Sequence, residues 1–234
     1  MLCCLAEQRY RFVVPPGKGE VALARLNRFK IRVNVEMELC ERAELLTVFA
    51  PGDVLVEHVK ALGGGEATTF AGCSWPGHLE AHCLVSEAST EVPHFWTELD
   101  DDAFAHLRVQ AGVPAWGTEL DDTMIPAEVG GWFVNLSASF TKGCYVGQEL
   151  IARVDSRGSN TPRKLCSVSS DEPITLGEYQ DAAAKLAMVV TTTAGTQALA
   201  LVNRSVGDQA TVTLQGNHGP QQFGITPLNV GTKS

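Results

Sequence analysis

Residues 139–153 read SFTKGCYVGQELIAR and set Lys142, Cys144, Tyr145, Glu149 and Arg153 within twelve residues, with Gly143 and Gly147 between them. A thiol attacks, or binds a metal, as its thiolate. The two glycines let the backbone turn on either side of the Cys144–Tyr145–Val146 step. GQELIARVDSRG (147–158) has helical character up to Gly158. That puts Cys144 at the mouth of a helix, near unsatisfied N–H groups and the positive end of the dipole. With Lys142 close by, both effects favour thiolate over thiol. Glu149 and Arg153, four residues apart, can pair on one helical face. The plainer alternatives are an inert buried cysteine and a solvated salt bridge worth roughly a few tenths of a kcal/mol.

The other cysteines are Cys3, Cys4, Cys40, Cys73, Cys83 and Cys166. No C-x-x-C pair occurs and Cys3–Cys4 are adjacent, so no zinc or iron–sulfur ligand spacing is visible and no metal site is assigned. Asp100, Asp101 and Asp102 could be read as a metal cluster. The start of a helix, which favours negative charge, is the better reading.

The elements that must position these residues belong to a chain of 234 residues, 44% hydrophobic and 19% charged, an ordinary soluble globular composition. Lys and Arg number 18 against 27 Asp and Glu, a net charge of −9 that argues against a general nucleic-acid binder. No apolar run reaches the roughly 20 residues of a membrane span. MLCCLAEQRY lacks the basic lead and long apolar stretch of a signal peptide, so a cytoplasmic location is expected.

Along the chain, RYRFVVP (9–15) alternates like a strand, and EVALARLNRF (20–29) places Ala22, Leu26 and Phe29 on one helical face. KIRVNVEMEL (30–39) is the cleanest strand pattern. Ile31, Val33, Val35 and Met37 face one way; Lys30, Arg32, Asn34, Glu36 and Glu38 face the other. AELLTVFAPG (43–52) predicts a strand, DVLVEHVKALGGG (53–65) a helix capped by Asp53, and AHCLVSE (81–87) a strand. The order is β-α-β-β-α-β, an α+β, ferredoxin-like split βαβ arrangement. A helix follows at 96–112, with Phe104, Leu107 and Ala111 on one face. Residues 113–145 are irregular and rich in Gly and Pro. Short β-rich pieces from 163 onward predict a small C-terminal β-barrel, giving domains at 1–162 and 163–234.

KGCYVGQE, with the preceding SFT and the following ARVDSRG, resembles the K-G-C-Y-x-G-Q-E signature of the YgfZ family. These are folate-binding proteins related to the T-protein (aminomethyltransferase) of the glycine cleavage system. RVQAGVP (108–114) resembles that family's R-x-E-A-G-x-P, and MIPAEVG (124–130) its I-P-x-E stretch. The resemblance runs from about residue 5 to about 165, and weakly beyond. It implies an aminomethyltransferase-like cloverleaf around a tetrahydrofolate-type ligand. The role it implies lies in assembly or repair of iron–sulfur clusters in client enzymes, tRNA-modifying ones included. The resemblance does not require a conventional enzyme; if the chain is one, the expected activity is that of an aminomethyltransferase. Cys144 falls on the family's essential cysteine, and Phe104 where relatives carry an aromatic that stacks on the folate. Arg108, Lys142 and Arg153 become partners for the ligand's carboxylates, with Tyr145 and Glu149 beside them in the motif. Phe104 reads equally well as a core residue of its helix.

Two departures stand out. Gln110 occupies the position of the family's Glu in R-x-E-A-G, and the opening CLAEQRYRFVVPPGKG resembles the middle of the family's first half. The expectation is an N-terminally truncated chain. Two other readings stay open: a tetrahydrofolate-dependent aminomethyltransferase, and a non-catalytic fragment.

Overall fold

The structure, a computed structural model, describes residues 2–15, 17–40, 44–51, 69–75, 79–86, 94, 96–156 and 160–228. The chain divides into two compact units, Met1–Thr97 and Glu98–Ser234. The boundary expected at 162/163 falls inside the second unit, where its barrel begins.

In the first unit, β1 (Leu2–Ala6) and β2 (Arg9–Phe12) form an antiparallel hairpin. Its turn is made possible by Gln8 at φ 62°, a conformation few non-glycine residues adopt. Helix α1 (Gly19–Phe29) follows; none of its residues is buried. Strands β3 (Glu44–Pro51), β4 (Thr69–Trp75) and β5 (Leu79–Ser86) make an antiparallel sheet in the order β3-β5-β4. The sequence reading located β2, α1, β3 and β5 but not β1 or β4. The helix expected at 53–65 lies outside the described residues.

The strand expected at 30–39 does not form. Residues 33–40 belong to no ladder, and the stretch is bent instead. Ile31 N–H donates to Phe29 O at 2.8 Å, Val35 N–H to Val33 O at 3.1 Å, and Arg32 sits at φ 59°. Alternation creates an apolar face, but a strand also needs a neighbouring backbone. Among the described residues none pairs with it, and Ile31 is left 71% exposed. The β-α-β-β-α-β order depended on that strand, so the ferredoxin-like assignment is not confirmed.

The second unit joins a helical layer to a closed barrel. Asp100 caps helix α2 (Asp101–Ala111) by accepting the Ala103 N–H at 2.8 Å, and Gly112, at φ 67°, ends it. A Cβ at Gly112 would displace the Leu228 side chain, 2.7 Å away, and it is the backbone angle that calls for glycine. Helices α3 (Pro126–Val129) and α4 (Gly131–Ser137) lie in the stretch read as irregular. Pro126 begins α3, where its missing N–H costs nothing. The Glu128 carboxylate reaches back to the Ile125 N–H at 3.3 Å. Helix α5 (Gln148–Ser156) carries the cysteine loop on its N-terminal side.

The barrel strands are β6 (Arg163–Ser169), β7 (Gly177–Gln180), β8 (Leu186–Ala194), β9 (Gln197–Asn203), β10 (Thr211–Gly216) and β11 (Gly219–Pro227). A short helix, α6 (Arg204–Gly207), links β9 to β10. All pairings are antiparallel, closing in the order β10-β11-β6-β9-β8-β7. The expected small barrel is therefore present. Ala198, Ala200 and Val202 of β9 point into its core with Met188, Leu214 and Phe223. Leu199 points the other way and packs with Val109, Val129 and Leu165. Both faces of β9 are covered, which is why ALALV reads as a continuous apolar run.

Candidate functional site

The cysteine loop is built from short-range bonds. Ser139 Oγ accepts the Lys142 N–H at 3.2 Å. The Tyr145 N–H donates to Gln148 Oε1 at 3.1 Å, and the Gln148 N–H returns to Tyr145 O at 3.3 Å. This reciprocal pair anchors the loop to the first residue of α5, in the manner of a capping box. Gly147, at φ 88°, reverses the chain between them.

Cys144 is exposed on this loop, four positions before α5 begins. It therefore lies outside the helix's first turn, not at its mouth. The Lys142 ammonium sits 4.7 Å from the centroid of the Tyr145 ring, a cation–π contact that fixes where its charge lies. Glu149 and Arg153 are both exposed and form no ion pair with each other. An exposed pair of this kind offers little to offset the entropy of holding two long side chains. Lys142, Cys144, Tyr145, Glu149 and Arg153 thus share one segment.

Phe104 and Arg108 lie on α2. Phe104 is exposed at the edge of that helix. Arg108 is buried; its Nη2 pairs with Glu119 Oε2 and its Nε donates to Val113 O at 3.2 Å. A ligand carboxylate approaching Arg108 would compete with Glu119 for the same guanidinium. Gln110, two residues further along, is exposed.

Two buried carboxylates lie outside the residues assigned to the site from the sequence, Glu128 standing there only as the acid of the I-P-x-E stretch. Glu119, its side chain fully buried, accepts from Arg108, from the Ala115 N–H at 2.9 Å and from Thr192 Oγ1 at 2.5 Å. Glu128 accepts from Arg163 Nε at 3.2 Å and from the Ile125 N–H. Pro126 followed by Glu128 was a legible signal for the second, since it is the pattern of a helix start. For Glu119 the only cue was an acid just after the Trp116–Gly117 turn.

A small cleft of about 100 Å³ opens between these helices. Ile125, Pro126 and Ala127 line one side, Val134 and Asn135 of α4 another, and Ile151 and Val154 of α5 the third. The apolar side of α5 therefore faces the cleft while its N-terminal end carries the loop. Cys166, by contrast with Cys144, is buried in the barrel, and burial pushes its thiol up to about 11.

No protein-family model matches the chain. It is 28% identical over 125 residues to the tRNA-modifying protein YgfZ of Edwardsiella ictaluri, covering 45% of this chain and 36% of that one. To the tRNA-modifying protein YgfZ of Hamiltonella defensa it is 35% identical over 92 residues, covering 35% and 26%. An uncharacterised protein of Haemophilus influenzae is 40% identical over 61 residues, covering 26% and 22%. The similarity thus spans between 22% and 36% of these relatives' length. Among solved structures, the glycine cleavage system aminomethyltransferase T of Bartonella henselae superposes with a TM-score of 0.71 at 16% identity. That superposition takes in 98% of this chain and 71% of the neighbour. The fold is aminomethyltransferase-like.

Proposed function

We propose that this chain, whose curated relatives and fold neighbour fit a YgfZ-like family, is a folate-binding accessory protein of iron–sulfur cluster assembly or repair, with Cys144 as its working thiol. The observation that carries this reading is the exposed Cys144 on a loop held at both ends by hydrogen bonds. An accessible sulfur on a defined loop suits contact with a client or its cluster; a packing cysteine would be buried, as Cys166 is.

The residues present fit one end of a tetrahydrofolate better than the other. Lys142 and Arg153 are exposed cations with no acidic partner among the described residues, which suits the ligand's carboxylates. Phe104 and Tyr145 offer aromatic faces for its rings. Gln110 stands where a carboxylate would grip the pterin, so that end is held less firmly. The cleft beside α5 is well below the roughly 300 Å³ at which drug-sized sites begin, and takes at most a small apolar group. Folate, when bound, supplies a one-carbon carrier and a reduced ring. The chain supplies cations for its carboxylates and a sulfur beside them.

Two assays test the reading. Calorimetry with reduced folates should show binding that Lys142→Ala and Arg153→Ala each weaken, by roughly 1–3 kcal/mol for a charge-assisted contact. In cells lacking their own family member, expression of the chain should restore activity of an iron–sulfur enzyme, and Cys144→Ala should remove that rescue. The aminomethyltransferase-like fold favours a second reading, aminomethyl transfer to tetrahydrofolate. Ammonia release from an aminomethyl-loaded lipoyl carrier, surviving Cys144→Ala, would select it instead.

A further inference from the structure

Residues 30–38 carry a pattern that no other described residue of the chain uses. Their side chains are exposed, Met37 only partly buried, and none of the charges Lys30, Arg32, Glu36 and Glu38 is in an ion pair among the described residues. Read outward from Asn34, the row is antisymmetric in charge. Lys30 and Arg32 lie on one side; Glu36 and Glu38 lie at equal distances on the other. Turned end for end, the segment is its own complement.

We propose that this segment is a homodimer interface, in which residues 30–38 of two copies pair as antiparallel strands about a two-fold axis at Asn34. In that register Lys30 faces Glu38 and Arg32 faces Glu36, each pair occurring twice by symmetry, on one face of the ribbon. Ile31 faces Met37 and Val33 faces Val35 on the other. A slip that put Glu36 opposite itself would set like charges together, and a slip by one residue would set apolar side chains against charged ones. The register is therefore specified. Opposite charges directly across a ladder, and an isologous contact in which one patch meets itself, are what a two-fold strand pair requires.

The local backbone points the same way. Arg32 at φ 59° and the Val35-to-Val33 bond keep the segment out of regular extended geometry. Pairing returns Arg32 to the β region and replaces that local bond with inter-strand ones. Phe29 and Leu39, both exposed, extend the apolar strip at its ends.

A charge-swap experiment tests this by sedimentation of the chain from about 5 to about 500 µM, the range in which a small strand interface dissociates. A reductant is kept present because Cys40 is exposed. Wild type should dimerise reversibly. Lys30→Glu/Arg32→Glu and Glu36→Lys/Glu38→Lys should each raise the dissociation constant by roughly tenfold or more, since every ion pair becomes a repulsion. Mixed in equal amounts, the two variants should form a heterodimer at least as tight as the wild-type dimer. Circular dichroism matching wild type shows that both variants fold. The proposal is overturned by a wild type that stays monomeric, by variants that associate as wild type does, or by a mixture that stays monomeric. A monomer whose amides at 31–38 resist hydrogen exchange would overturn it too, by showing that the segment pairs within its own chain.

Discussion

The Thr192 hydroxyl donates to Glu119 Oε1 at 2.5 Å, across 73 residues of sequence. Glu119 holds Arg108 of α2 through its other oxygen, so one buried carboxylate ties a barrel strand to the helical layer. Breaking a buried pair by removing one partner leaves the other charge uncompensated, which costs more than the pair itself contributes.

Glu119→Gln should therefore destabilise the second unit by about 3–5 kcal/mol, and Thr192→Val by about 1 kcal/mol. Urea unfolding followed by fluorescence measures both. A loss below about 1 kcal/mol for Glu119→Gln would mean that Arg108 finds another acceptor.

Gly147 has open space where a Cβ would go, but its φ of 88° is unfavourable for any L side chain. Gly147→Ala should cost about 1 kcal/mol through the backbone alone. Gly147→Asn should cost less, because asparagine tolerates left-handed geometry better than alanine. Equal melting temperatures for alanine and glycine would show that the loop rearranges freely.

Gly216 is constrained differently: a Cβ there would lie 2.6 Å from Tyr179 Cε1. Tyr179 is pinned by its hydroxyl bond to Thr175 O at 3.0 Å and by edge-to-face packing on Phe223, so it has little room to yield. Gly216→Ala should cost about 1–3 kcal/mol as overpacking. Tyr179→Leu in the same background should recover part of that loss, and an unchanged double variant would assign the clash elsewhere.

Cys166 makes stability depend on alkaline pH. Its ordinary thiol value of 9.0 is raised to about 11 in the folded state, chiefly by burial. Above pH 9 the unfolded chain gives up this proton while the native chain keeps it, so stability falls as pH rises and the loss is complete near 11. The full loss is about 2–3 kcal/mol. Comparing wild type with Cys166→Ala by denaturation at pH 8 and pH 10.5 isolates it; parallel curves would show that Cys166 ionises in the native state.

The barrel and α2 were legible because their signals are local. The 163–170, 185–193 and 198–206 runs alternate or stay apolar between turn residues, and Asp100 and Gly112 bracket α2 as caps. The 30–39 stretch shows the limit of the same reasoning, since alternation specifies a face but cannot supply a neighbouring strand. Within the candidate site, the run from Lys142 to Arg153 could be read as one segment because it is contiguous. The engagement of Arg108 could not, because its partners Val113 and Glu119 are fixed by how the chain turns after Gly112. The clamp from Glu119 to Thr192 depends on tertiary structure alone.

The barrel has a weak seam. Five of its joints run over at least four ladder pairs each, whereas the β7–β10 ladder has a single pair, Gln180 with Gln215. A ring fastened at one point along one joint opens there first, and opening turns it into a six-stranded sheet with two bare edges. Amide protons near that joint should exchange with solvent well before those of β9, whose neighbours hold it on both sides. If the seam opens first, limited proteolysis should cut beside it before elsewhere in the barrel, and heat-driven association should start from its exposed edges.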